Sequence, residues 1–142
     1  MHLEKLKEYG FLQIGVFSIS ENEFKIEIDN ESMTEREKCI YAFVIDGKFI
    51  RIGSSKRPLK FRLKDWRRDV SKALEGKKSK TKPPEARAWM ELLIGGKKGK
   101  IFAREGTKIS TPIGIISAYL DEESVLIGRY SPSLCNDAAR HN

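Results

Sequence analysis

Imidazole is nearly missing from this chain: its 142 residues include only His2 and His141, one near each end, where order is least expected. That scarcity argues against a histidine-based nuclease, a histidine–zinc site and a Ser-His-Asp triad. Any catalysis is left to tyrosine, carboxylate, arginine or lysine. Cysteine is as scarce. Cys39 and Cys135 are the only two, too few for a disulfide framework or a cysteine zinc cluster. Both are expected as reduced, partly buried small side chains in a cytosolic protein. No apolar stretch approaches the length of a membrane span, and the N-terminus is too charged for a secretory signal, so the expected compartment is the cytoplasm.

Positive charge is what the chain has in excess. Lysine and arginine number 27 against 20 acids, a formal charge of +7, and the pI is about 9.4. Such a balance favours a polyanionic partner, because each phosphate contact releases condensed counterions. A basic domain with no such partner has the same composition, and charge alone does not separate the two. The length suffices for one domain with a real core and is too small for a catalytic domain plus a separate recognition domain.

Residues 11–19 are apolar enough for a strand, and Phe24-Lys25-Ile26-Glu27-Ile28 alternates apolar and charged with period two, the pattern of a half-exposed strand. With Gly15 and Ser20-Glu21-Asn22 as breaks, this predicts an N-terminal hairpin. A polar connector or short helix follows over 29–38. After Gly53, Ser54-Ser55-Lys56-Arg57-Pro58 reads as a helix start, with Pro58 suited to the first turn. At about 100° per residue, Leu59, Leu63, Trp66, Val70 and Ala73 share one stripe and Arg62 stands at its rim. On helix geometry alone Arg62 reads as a solvated side chain snorkelling beside the core.

The stretch 75–84 carries four lysines, two prolines and no apolar side chain, which predicts a mobile loop, phosphate-contacting or merely solvated. A second helix is expected over 85–94, burying Trp89, Leu92 and Leu93. Gly95-Gly96-Lys97-Lys98-Gly99-Lys100 lacks the spacing and the Ser or Thr of a phosphate-binding P-loop. Strands are expected over 100–104 and over the isoleucine-rich run 113–119. A third helix begins with Asp121 as N-cap, and Glu122 and Glu123 have a purely structural explanation there, the helix dipole.

The most informative segment is Cys39-Ile40-Tyr41, then Ala42-Phe43-Val44-Ile45-Asp46-Gly47-Lys48-Phe49-Ile50, then Arg51-Ile52-Gly53. Two β-branched and aromatic runs around Asp-Gly predict a β-hairpin. A two-residue loop pairs Ala42 with Arg51 and puts Arg51 and Tyr41 on opposite faces. A three-residue loop with Gly47 in the left-handed position, or an equivalent bulge, puts them on one face.

This hairpin resembles the core of the GIY-YIG nucleases. Tyr41 closes the first tripeptide, and Arg51 stands where the second usually has tyrosine. The likeness extends in order: Arg62 lies nine residues beyond Gly53, Glu123 precedes Val125-Leu126-Ile127, and Ser131-Pro132-Ser133-Leu134-Cys135-Asn136 follows. It covers about residues 39–136 and is greatest to small phage-type and restriction-type members.

The resemblance implies metal-assisted phosphodiester hydrolysis. Glu123 would be the sole protein ligand of one hard divalent cation, Mg2+ or Mn2+. Arg62 would stabilise charge on the phosphorane-like transition state, Tyr41 would be the general base for water, and Asn136 would fix geometry. The ordinary tyrosine pKa near 10 is poor for a base, so neighbouring cations would have to lower it or a proton relay assist. A guanidinium cannot be the base at neutral pH, but Arg51 could depress the Tyr41 pKa and bind the scissile phosphate. Lys56, Arg57, Lys82 and Arg87 are candidate DNA contacts.

The expectation is therefore a single α/β (α+β) domain with a small, largely antiparallel sheet flanked by helices. Residues 1–38 form an N-terminal β extension and connector, and 39–142 the nuclease-like core. The activity expected is endonucleolytic cleavage of double-stranded DNA leaving 5′-phosphate and 3′-hydroxyl ends, with a homodimer or higher homo-oligomer for double-strand breaks. The competing expectations are a degenerate DNA-binding module on the same fold and a basic RNA-associated protein.

Overall fold

The computed structural model describes residues 2–134, and of His2 the backbone alone. Chain order is α1 (His2–Glu8), β1 (Leu12–Ser20), β2 (Glu23–Ile28), α2 (Glu31–Thr34), β3 (Cys39–Ile45), β4 (Lys48–Ser55), α3 (Leu59–Leu74), α4 (Pro83–Leu92), β5 (Gly99–Glu105), β6 (Lys108–Thr111), β7 (Gly114–Ser117) and α5 (Tyr119–Tyr130). Cys135, Asn136 and His141 lie outside the described residues. Five strands make one antiparallel sheet in the order β2-β1-β5-β3-β4, while β6 and β7 make a separate ribbon. This is the α+β class expected. The N-terminal hairpin is built into the sheet, because β1 bonds to β5 as well as to β2.

Helices on both faces explain why β3 reads as a continuous apolar run: all seven of its residues are buried. On one face, under α3 and α4, Phe17, Phe24, Phe43 and Trp89 meet with ring centroids 5.0 to 6.3 Å apart. Leu59, Leu63 and Val70 of α3 seal that layer. On the other face, Leu6 of α1 and Leu126 and Ile127 of α5 pack on Ile40, Ala42, Ile52 and Phe102. Among the described residues no helix is long and apolar enough to cross a membrane.

Local chemistry moved several boundaries. α4 starts at Pro83, two residues before the predicted 85, because the first turn needs no N–H donors and suits proline. Leu92 is only half-buried, whereas Trp89 and Leu93 are fully buried. Pro58 occupies the cap position ahead of α3 rather than its first turn. The run 113–119 is not one strand: only Gly114–Ser117 is extended, paired with the unforeseen β6, and Tyr119 already belongs to α5. Asp121 is not the N-cap of α5. Ala118 holds that position without a side-chain bond, and Asp121 and Glu122 sit in the first turn. α1 had no counterpart in the sequence reading.

Cys39 is fully buried, with its Sγ facing the carbonyls of Arg36 and Glu37. Burial, helped by Glu105 and opposed by Arg36, pushes its thiol up to about 11 from an ordinary 9.0. Two pH units mean about a hundredfold less thiolate at pH 8, and the thiolate is the reactive form. In a Cys135→Ser chain at pH 8, a thiol reagent should label Cys39 at least a hundredfold faster after unfolding than before. Equal native and denatured rates would contradict the burial.

Candidate active site

β4 is an edge strand, and its register decides what the hairpin can present. Ile45 pairs with Lys48 across Asp46 and Gly47, both at positive φ (53° and 73°), so the loop is the two-residue one that turn statistics favour. Uncorrected, that register would put Arg51 opposite Ala42. A bulge intervenes: Val44 pairs with Phe49 but Phe43 pairs with Arg51, leaving Ile50 as the extra residue. Ala42 then pairs with Ile52 and Tyr41 with Gly53, so Tyr41, Phe43, Arg51 and Gly53 share one face.

Gly53 is required by what crosses it. A Cβ there would lie 2.4 Å from the Tyr41 hydroxyl oxygen and 2.5 Å from its ring carbon. Gly53→Ala should destabilise the fold by about 1–3 kcal/mol through overpacking and displace the phenol. A denaturation midpoint unchanged from the parent chain would refute this.

Tyr41 is buried, and its hydroxyl accepts a hydrogen bond from the Trp66 indole N–H at 2.7 Å. Its pKa lies above the ordinary tyrosine value, and burial is the largest cause. The Trp66 N–H, Arg51 and Arg62 pull it down, while Glu123 adds to the rise. Arg51 and Arg62 thus act in the direction a base would need, but desolvation of the phenolate outweighs them.

Arg51 is 9% exposed. Its Nη1 donates to the Leu134 carbonyl at 2.8 Å and lies 4.0 Å from Glu85 Oε1, and its guanidinium carbon stands 4.9 Å from the Trp66 ring centroid. The Leu134 N–H in turn donates to the carbonyl of Ile50, the bulge residue. Tyr41, Arg51, Arg62, Asp65, Trp66, Asp69, Lys80, Thr81 and Glu85 line one cleft of about 230 Å³. Arg62 reaches it from the exposed rim of α3.

The carboxylates of α5 divide their tasks. Glu122 accepts from the backbone N–H and hydroxyl of Thr107 and pairs with Arg104. Burial works against its charge, but those donors hold its carboxyl below the usual value. Glu123 turns the other way, and its Oε1 accepts from Ser54 Oγ at 2.9 Å. Ser54 follows Gly53 on β4, so phenol and carboxylate approach the same strand edge from opposite faces of the sheet.

Tyr41, Arg51 and Arg62 thus meet in one cleft, which Glu123 does not line; its charge acts on the phenol from across the strand. Asn136 lies outside the described residues. Lys56, Arg57, Lys82 and Arg87 are exposed and do not line the cleft. Arg57 stands over the Phe61 ring, Lys82 precedes α4, and Arg87 lies on it. The sequence reading missed Ser54, Trp66 as a polar contact, Lys80 and Glu85. Trp66 carried a signal only as a core position and Lys80 only as one lysine of the basic stretch 75–84; Ser54 and Glu85 carried none.

No family model matches the chain, and no curated protein does. Solved structures do. The fold matches a mutant of EndoII from bacteriophage T4 with a TM-score of 0.65 at 21% identity, over 93% of this chain and 96% of that one. The restriction endonuclease HPY188I in complex with product DNA gives a TM-score of 0.49 at 20% identity, over 89% and 76%. The chain has the fold of a small phage endonuclease.

Proposed function

We propose that the chain is a divalent-metal-dependent DNA endonuclease of the GIY-YIG type, cleaving phosphodiester bonds to leave 5′-phosphate and 3′-hydroxyl ends. The observation that carries this reading is the convergence of Tyr41, Arg51 and Arg62 on one cleft, with Glu123 bonded to Ser54 on the same strand. The fold shared with a phage endonuclease and the basic balance of the chain support it.

Among the described residues no group of three or more His, Cys, Asp or Glu side chains is placed to hold a metal. The oxygen donors present suit a single hard cation held by the Glu123 carboxylate, with water and phosphate completing its shell. Such an ion, Mg2+ or Mn2+, would be held by Glu123 and would supply Lewis-acid chemistry when bound. Arg62 and Arg51 bind the phosphate and stabilise the charge that gathers on it. The Tyr41 oxygen takes the proton of the attacking water. Lys56, Arg57, Lys82 and Arg87 contact the backbone of flanking DNA and fix its position without reading sequence. One site cuts one strand, so double-strand breaks require a homodimer or higher assembly.

Because burial holds the Tyr41 pKa above its ordinary value, the base form grows with pH throughout the neutral range. Single-turnover cleavage should rise about tenfold per pH unit from pH 6 to 9; a plateau below pH 8 would remove Tyr41 as the base.

The test of the function is supercoiled plasmid incubated with the chain in Mg2+ or Mn2+, beside a chelator control and an RNA substrate. Nicked or linear DNA that disappears with chelator is the expected result. A second reading, a degenerate module that only binds DNA, is favoured by the contacts that already engage Arg51 with Leu134 and Glu85. Retained binding with no cleavage in either metal would establish it.

A further inference from the structure

We propose that Trp66 is a positioning residue that locks Tyr41 and Arg51 into one catalytic unit, an inference that rests on the nuclease reading. Tyr41 and Arg51 occupy the same face of the β3–β4 hairpin but sit on a diagonal, opposite Gly53 and Phe43 respectively. The Trp66 side chain spans that diagonal from α3. Its indole N–H donates to the phenol oxygen at 2.7 Å, and the guanidinium of Arg51 rests 4.9 Å from its ring centroid. The ring is itself fixed edge-on by Phe43 at 5.3 Å and Trp89 at 6.1 Å.

Each contact does a separate job. An N–H donor aimed at the phenol oxygen fixes its direction and strengthens as that oxygen gains negative charge. The indole face holds a cation without taking its hydrogen-bond donors, so Arg51 can rest on Trp66 while its Nη1 donates to the Leu134 carbonyl. A tyrosine in place of Arg51 would have no charge for that ring to attract, so the arrangement suits this chain's departure from the tyrosine usual at that position. Trp66 touches neither the water nor the phosphate in this scheme. It acts through the two groups it holds.

The test is a double-mutant cycle on plasmid nicking in Mg2+ under single-turnover conditions. Trp66→Phe keeps an aromatic face for Arg51 and removes the N–H. It should lower the cleavage rate constant at saturating enzyme by about tenfold or more, with half-saturation within about twofold of the parent. Trp66→Leu removes both contacts and should weaken half-saturation as well. Trp66→His returns a ring N–H and should recover part of the rate lost in Trp66→Phe. In a Tyr41→Phe background, with its residual rate followed in enzyme excess, Trp66→Phe should cost almost nothing further. Multiplying losses in the two backgrounds, with no recovery by histidine, would show a packing role only and overturn the inference while leaving the nuclease intact. No cleavage by the parent chain in Mg2+ or Mn2+ would overturn the nuclease reading first and this inference with it.

Discussion

Replacing Glu123 with alanine should reduce DNA cleavage in magnesium by at least about a thousandfold, equivalent to about 4 kcal/mol of transition-state stabilisation. The side chain is half-buried on α5 and makes one described hydrogen bond, from Ser54. Its removal therefore leaves a half-buried hydroxyl that water can satisfy, and the fold should survive. DNA affinity and its salt dependence should also persist, because the basic side chains proposed to contact phosphates are elsewhere. Metal binding is the decisive second readout. Calorimetric titration with manganese should give heat for the parent chain and none for the variant. A variant that cleaves within tenfold of the parent would show that the cation is not held by this carboxylate. Glu122→Ala is the useful contrast: it breaks the contacts to Thr107 and Arg104 and should act on stability instead.

Truncating Trp89 to alanine should have the largest effect on stability, about 3–5 kcal/mol out of the roughly 5–15 kcal/mol that holds a domain of this kind together. Trp89 is fully buried and touches Phe17, Phe24, Phe43 and Trp66. It joins both hairpins of the sheet to α4. Its indole N–H also donates to Glu85 Oε2 at 3.2 Å, the carboxylate that faces Arg51. Loss of the ring therefore leaves a cavity and releases two neighbours of the cleft. Thermal unfolding should fall on the order of 10 °C, and the cleavage rate should drop even where the variant remains folded. A loss below about 1 kcal/mol would mean that the cluster repacks around the gap.

How much of this was legible in the sequence depended on distance along the chain. The hairpin of β3 and β4 was readable because its loop chemistry is local, and α3 because its apolar stripe is periodic. The fold class followed from those elements. The register was not decided by local rules. Turn statistics pointed to the two-residue loop, which is present, and only the bulge at Ile50 restores Arg51 to the face of Tyr41. That bulge places Ile50 in the core and its carbonyl within reach of Leu134, a gain invisible until residue 134 is brought back to the edge strand. The polar role of Trp66 was hidden because an indole on an apolar stripe reads as core. The partners of Arg51 and Glu123 were hidden because they come from 83 and 69 positions away. The start of α5 was misplaced by three residues because Asp121 looks like a cap when Ala118, which holds the position, offers no side-chain signal.

The strand order carries a consequence for biosynthesis. β5 lies between β1 and β3, so the two hairpins made first cannot join until residues 99–105 have left the ribosome. Each hairpin can form alone from near neighbours, but each then shows unpaired strand edges, the surface on which nascent chains stick to one another. The arrival of β5 closes two of those edges at once, since it pairs with β1 and β3 together. Glu123 emerges later still, on α5. A growing chain thus holds the phenol and the guanidinium long before it holds the carboxylate, so the proposed site is complete only after the sheet has been zipped shut.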